Sequence, residues 1–199
     1  QNSLLITTQA GDLNKVELYH IEDLKHKVLK ESLNGSFNYL LWSDSGHNIV
    51  FTEQENQENY IYYYSYDDVL KTLDDTTLGH EKEGFKISNR PPYISRDGKK
   101  IFFYRQVKKD YKENTNTIEI WKTEDPWIYP RMKKFEDREL DYLLTAWYPE
   151  TDKIVAIETK EMPTSALDVN HNYAIVFNKL KYEPLYKEFP NTDIYIKNI

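Results

Sequence analysis

The chain has 199 residues, with 33 acidic against 26 basic side chains for a net charge of −7, and it contains no cysteine. The length suits a single domain with a sizeable core, the charge speaks against the clustered positive surface that nucleic-acid binding needs, and the missing cysteines exclude disulfides, thiolate nucleophiles and Cys-type metal sites. With a mean hydropathy of −0.78 and no apolar run near the roughly 18 residues of a bilayer crossing, no membrane-spanning helix is expected.

The N-terminus, Gln1-Asn2-Ser3-Leu4-Leu5-Ile6, lacks an initiator Met and a basic leader and runs straight into an expected strand. Val16–Asp23 alternates and leads into a second apolar stretch, Lys27–Lys30. Leu41–Phe51 follows as an apolar strand end, a polar turn containing Ser43-Asp44-Ser45-Gly46, and an apolar strand. In Tyr60–Tyr66, a period of two puts Tyr60, Tyr62, Tyr64 and Tyr66 on one face and Ile61, Tyr63 and Ser65 on the other. Such a stripe could stack on sugars, but half-buried pleated surfaces favour aromatics for packing alone. Tyr93–Phe103 repeats the Leu41–Phe51 pattern without gaps, with Gly98 in place of Gly46. Leu143–Tyr148 turns through Pro149-Glu150-Thr151-Asp152 into Ile154–Ile157. Ala166–Val176 is a third copy in which His171 stands where the others have Gly, and Asp193–Ile196 begins one more strand. The alternating C-terminal stretch has no closing turn, so both ends are expected to be cuts in something longer.

Repetition of this kind is the signature of sheets stacked one after another. Gly46 and Gly98 lie 52 positions apart, near the roughly 40 to 50 of a four-stranded propeller blade, whereas Gly98 and His171 lie 73 apart. The excess is an insertion between Arg105 and Asp141. The expected fold is all-β, a β-propeller fragment of about three to four antiparallel four-stranded blades, with blades over about 1–34 (partial), 35–80, 86–161 and 163–199 (partial).

Trp42-Ser43-Asp44-Ser45-Gly46 and Ile94-Ser95-Arg96-Asp97-Gly98-Lys99-Lys100-Ile101-Phe102-Phe103 resemble the W-S-P-D-G-K-x-I-A-F repeat of TolB-like and WD40-like propellers. Ile118–Pro126, the Tyr142–Ile157 hairpin and Glu161-Met162-Pro163 resemble the N-terminal propeller of Bacteroidetes-type S9 (prolyl oligopeptidase, dipeptidyl aminopeptidase-like) peptidases. That resemblance implies a propeller that caps an α/β-hydrolase domain and restricts which peptides reach its serine triad, in the periplasm or outside the cell. The partners it implies are that hydrolase domain and the peptide substrate. The alternatives are a TolB-like interaction scaffold and a carbohydrate-binding propeller.

No catalytic residue is expected in the chain itself. The G-x-S-x-G elbow of a serine hydrolase is absent, and its halves Gly35-Ser36 and Ser45-Gly46 read as hairpin turns. His20, His26, His47, His80 and His171 are dispersed without zinc spacing. Asp67-Asp68, Asp74-Asp75, Asp110 and Glu113 do not follow the EF-hand ladder and read as solvated turn carboxylates. No metal or other cofactor is therefore expected. Trp127 and Tyr129, between Pro126 and Pro130, are the candidate contacts to a ligand or to the hydrolase domain, with packing of Trp127 beneath its own insertion as the competing reading. A propeller cut before closure also leaves open strand edges that invite self-association, which Lys179, Lys181, Lys187 and Lys197 would blunt at one end. Far-UV circular dichroism is expected to show mostly strand, with helix below about a quarter of the residues, since blades are built of strands.

Overall fold

A chain whose apolar residues recur with period two can form sheets that bury one face or both, and helices find no stripe to pack on. The computed structural model describes residues 3–65, 67–78, 84–107, 142–178 and 192–199, and among these it holds fifteen strands and no helix. Strands β1 (Ser3–Ala10), β2 (Leu13–His20) and β3 (His26–Ser32) form a first sheet, and β4 (Ser36–Trp42), β5 (Ile49–Glu55), β6 (Glu58–Tyr64) and β7 (Leu70–Leu73) a second, each in sequential order. The third sheet contains β8 (Phe85–Ile87), β9 (Tyr93–Ile94), β10 (Ile101–Val107), β11 (Tyr142–Tyr148) and β12 (Lys153–Ala156). Here β8 and β9 both pair with β10, as two halves of one strand broken by 88–92 with its Pro91-Pro92. The fourth sheet is β13 (Thr164–Leu167), β14 (Tyr173–Phe177) and β15 (Ile194–Asn198).

Every pairing is antiparallel and no described strand leaves its own sheet for another. Successive meanders, each complete before the next begins, are the blade order of a β-propeller, and the fold is all-β. The turns follow local chemistry. β5 and β6 are joined by Asn56 and Gln57, both at positive φ, which matches the twist of a two-residue hairpin. Gly11, also at positive φ, does the same work between β1 and β2. The 105–141 insertion falls within one hairpin of the third sheet, because β10 and β11 pair directly from Ile101↔Trp147 to Gln106↔Tyr142.

The sheets stack face on face through three apolar layers. Val16, Leu18 and Leu29 of the first sheet meet Ile49, Phe51, Tyr62 and Tyr64 of the second. The opposite face of the second sheet, with Val50, Ile61, Tyr63 and Leu73, packs on Ile87, Ile101, Phe103 and Trp147 of the third. Phe102, Leu144, Ala146 and Ile157 then turn toward Ala174 and Val176 of the fourth. Neighbouring residues on one strand thus serve different layers, as Val50 and Phe51 do. Where it is described, the tyrosine stripe is packing: Tyr62 and Tyr64 are buried, Tyr60 is half-buried and the Tyr62 ring stacks on Phe51 at 5.0 Å between centroids, while Tyr66 lies outside the described residues.

One local expectation is corrected. Gly35-Ser36 is not a hairpin turn; it lies in the crossing from the first sheet to the second, with Ser36 opening β4. Glycine is needed there for space, since a Cβ at Gly35 would stand 2.2 Å from Glu53 Oε1.

Phe51 and Phe103 are the same position in successive blades, each turned to the preceding sheet and fully buried. Phe51→Ala or Phe103→Ala is expected to destabilise the fold by about 3–5 kcal/mol in urea denaturation, and a change below about 1 kcal/mol would mean that the position does not carry its layer.

Candidate functional site

The residues that repeat most faithfully meet at one end of the stack, in the turns before β5, β10 and β14. In each turn the positive-φ residue, Gly46 (69°), Gly98 (71°) or His171 (57°), donates its N–H to a carbonyl three positions back, on Ser43, Ser95 or Asp168. That earlier residue donates its own N–H to the carbonyl five positions on, at Asn48, Lys100 or Tyr173. Its side chain also closes the turn: Ser43 Oγ accepts from Asn48 N, Ser95 Oγ from Lys100 N, and Asp168 Oδ1 from Asn172 N and Tyr173 N. The carboxylate of Asp168 also accepts from Asn170 N, so three side-chain-to-backbone bonds surround the histidine that stands at positive φ here.

The turns are tied to one another by the residue two places after the glycine. Asn48 Nδ2 donates to the Gly98 carbonyl at 3.2 Å. Lys100 Nζ, in the same column of the repeat, donates to the His171 carbonyl at 2.6 Å and to Asn172 Oδ1 at 2.9 Å. A Cβ on Gly98 would sit 2.3 Å from Asn48 Nδ2, so the glycine is required for close approach as well as for its backbone conformation. In the first sheet the corresponding residue is Ser3, which is too short to reach across, and a cleft of about 300 Å³ opens there. Trp42, Tyr64, His20, His47 and Asp68 line it, with Lys27 paired to Asp68 at 2.7 Å and the Tyr64 hydroxyl donating to the same carboxylate.

Ser3 Oγ and His20 Nδ1 stand 3.0 Å apart at the rim of this cleft. They are direct cross-strand partners in the β1–β2 register, and that register explains the contact. A nucleophilic serine needs a sharp turn that presents it to backbone N–H donors, whereas Ser3 lies in extended strand.

A second cleft, about 210 Å³, lies between the second and third sheets at the opposite, hairpin end. It forms where β4 bulges at Tyr39 (φ 52°) and where β8 breaks from β9. Asn59 Nδ2 donates to the Ile87 carbonyl and the Tyr39 hydroxyl to that of Asn89, bracing the two sheets. Arg90 lies at its edge, its guanidinium carbon 3.7 Å from the Tyr142 ring centroid.

The buried ionisable side chains Glu17, Glu53, Lys100, Arg105 and Glu158 are all bonded into the frame. Three of them occupy a repeated diagonal across the hairpin-joined pairs β1–β2, β5–β6 and β10–β11. Thr8 donates to Glu17 at 2.8 Å, Tyr62 to Glu53 at 2.6 Å, and Arg105 Nε to Thr145 at 2.7 Å. Glu158 accepts from the Leu144 N–H and from Ser165 Oγ, joining the third sheet to the fourth. The Tyr62 hydroxyl is pushed far up by burial and by its bond to Glu53. Among the described residues no group of three His, Asp or Glu could hold a metal ion. Trp127 and Tyr129, the contacts expected from the sequence, lie outside the described residues. Sequence reading missed the diagonal pairs and the Lys100 bridge, although the gapless repeat alignment places Lys100 opposite Asn48 and Arg105 opposite Glu53.

No family model and no curated protein matches the chain. Solved structures do. An uncharacterized protein of Listeria monocytogenes EGD-e is 15% identical with a TM-score of 0.52, and the match covers 100% of this chain and 47% of that one. The oligogalacturonate lyase of Vibrio parahaemolyticus is 13% identical with a TM-score of 0.51, over 92% of this chain and 44% of the other. The β-propeller domain of the Trilobed protease of Pyrococcus furiosus is 10% identical with a TM-score of 0.46, over 99% and 51%. The chain therefore spans about half the length of these solved chains, and at such identities the likeness bears on the fold alone.

Two outcomes follow from the turn geometry. Lys100→Met keeps the stem and removes both bonds to the next turn, so a loss of about 1.5–3 kcal/mol is expected in chemical denaturation. Asp168 is held below its ordinary value of 3.8 by the Tyr173 N–H above all, and by those of Asn170 and Asn172. Burial pushes Asp97 up, but the Ser95 hydroxyl and the Lys99 N–H outweigh it and leave Asp97 below 3.8 as well. A carboxylate depressed by folding stabilises the protein above its unfolded value and loses that contribution as pH falls through its folded value. Urea midpoints are therefore expected to fall progressively below about pH 3.8, and Asp168→Asn should flatten that fall.

Proposed function

We propose that the chain is a non-catalytic propeller region of a serine peptidase of the prolyl oligopeptidase type, admitting peptides to a hydrolase domain encoded beyond it. The observation that carries the non-catalytic part is the commitment of Glu17, Glu53, Lys100, Arg105 and Glu158 to bonds within and between sheets. A catalytic acid, base or electrophile needs a side chain poised toward substrate, whereas these five are turned into the frame. The peptidase part rests on the sequence resemblance in the Ile118–Pro126 segment, the Tyr142–Ile157 hairpin and Glu161-Met162-Pro163. The clefts at the two ends of the stack supply the kind of surface on which a lid selects among peptides, lined by amides, hydroxyls and aromatic rings. Export to the periplasm or beyond belongs to the same proposal.

Two measurements test it. The purified chain should hydrolyse prolyl and aminoacyl chromogenic peptides no faster than the buffer blank. A rate that copurifies with the chain and disappears on Ser3→Ala would overturn the non-catalytic reading. Reading the coding sequence past Ile199 should reveal a G-x-S-x-G elbow within an α/β pattern. A stop after further blades would favour an interaction scaffold, and a sugar-binding or sugar-cleaving module a carbohydrate-binding propeller; either would overturn the peptidase reading.

A further inference from the structure

The 210 Å³ cleft at the hairpin end lies between the second and third sheets, and each of these has a further sheet packed on its other face. Its walls therefore belong to the middle of the stack. Of the eleven described residues that line it, Arg90 alone carries a charge, and the rest are amides, hydroxyls and apolar side chains. In a chain of net charge −7, a cleft with one cation and no anion in its lining is a local site for a negative group.

The strand registers explain how the guanidinium is held. Thr52 pairs with Ile61 and Gln54 with Asn59, as Tyr104 pairs with Leu144 and Gln106 with Tyr142, so the third sheet has Tyr104 and Tyr142 where the second has Thr52 and Asn59. Those two tyrosines form a platform, with the Arg90 guanidinium carbon 3.7 Å from the Tyr142 ring centroid and 5.2 Å from that of Tyr104. Stacking occupies the face of the guanidinium and leaves its N–H edge, the part that matches a carboxylate, unspent. The backbone is restrained as well: the Arg90 N–H donates to Ser88 Oγ at 3.3 Å, and Pro91 follows directly. The loop does not need the side chain to hold its place, because Ser88 N donates to the Tyr104 carbonyl and the Tyr39 hydroxyl to that of Asn89. The other described arginines are engaged, Arg105 with Thr145 and the Glu158 carbonyl, and Arg96 with Asp44 at 3.8 Å. Arg90 is exposed, and among the described residues no carboxylate pairs with it.

We propose that Arg90 and this cleft bind a carboxylate carried on a short peptide, the guanidinium taking the carboxylate through two parallel N–H bonds and the cleft taking the residue that bears it. At about 210 Å³ the cleft is smaller than the roughly 300–1,000 Å³ of pockets for drug-sized ligands, which suits a single residue and not a long segment. The carboxylate follows from Arg90 and its platform. The choice of a peptide as its carrier rests on the peptidase reading.

Titration of the 199-residue chain, followed by NMR at the side-chain amides of Gln54 and Asn59, compares acetyl-trialanine, which ends in a carboxylate, with its amide, and acetyl-Ala-Glu-Ala amide with its glutamine counterpart. At least one acid should bind about ten-fold or more tighter than its neutral partner, and which pair shows the difference tells a chain end from an acidic side chain. Arg90→Gln should abolish the difference, with the far-UV spectrum and urea midpoint unchanged because the side chain is exposed. Arg90→Lys keeps the charge without the fork and should restore only part of it. Acids that bind no better than their neutral partners, or a difference that survives Arg90→Gln, overturn the site. Acetate or glucuronate binding as tightly as the acidic peptides overturns the peptide as carrier. Any of these failures leaves a G-x-S-x-G elbow past Ile199 in place, whereas a stop there removes the peptidase reading and leaves the acid-to-amide difference standing.

Discussion

The structure depends on sheets that are apolar on both faces. A strand such as β5 sends Ile49 and Phe51 one way and Val50 the other, so its sheet can keep water off its side chains only by lying between two others. Neighbouring sheets then cover each other, and the strands need no long crossovers to do so. The third sheet illustrates the reach of the arrangement, with Phe103 facing back to the second sheet and Phe102 forward to the fourth. Side-chain alternation on a single strand thereby sets the order of the whole stack.

Apolar layers alone would tolerate a sheet sliding along its neighbour, and the polar bonds remove that freedom. The Asn48 and Lys100 bridges fix the height of one turn against the next, and Glu158 holds the third sheet to the fourth through Leu144 and Ser165. The Glu53–Tyr62 and Arg105–Thr145 pairs fix strands within a sheet in the same way. Burying such groups is costly unless each finds its partner, so these bonds favour one register strongly over its alternatives.

Much of this was legible in the residues. Alternation revealed the strands, and the two glycine turns revealed the repeat, because a positive-φ turn between apolar strands leaves a mark in any sequence. The turn at His171 was harder to see, since glycine is absent and the side chain that closes the turn, Asp168, sits three positions earlier where the other copies have serine. The break between β8 and β9 had a local cue in Pro91-Pro92, but the pairing of both halves with β10 depends on the strand they meet. The diagonal polar pairs were hidden for a related reason. Each joins residues of unlike chemistry, threonine with glutamate, tyrosine with glutamate and arginine with threonine, so the position repeats while the residue type does not.

The placement of the insertion bears on the chain entropy that strand pairing must overcome. Glu55 and Glu58 close the hairpin of the second sheet across 3 positions, whereas Gln106 and Tyr142 close that of the third across 36. On chain-entropy grounds the longer connection costs about 2 kcal/mol more to bring together. The second sheet is thus built from local contacts, whereas the third depends on a pairing distant in sequence. The fourth sheet shares that dependence, because Leu144 and Ala146, on which Ala174 and Val176 pack, belong to the far arm of that pairing. Loop-closure entropy therefore weighs more heavily on the β10–β11 pairing than on the local β5–β6 hairpin.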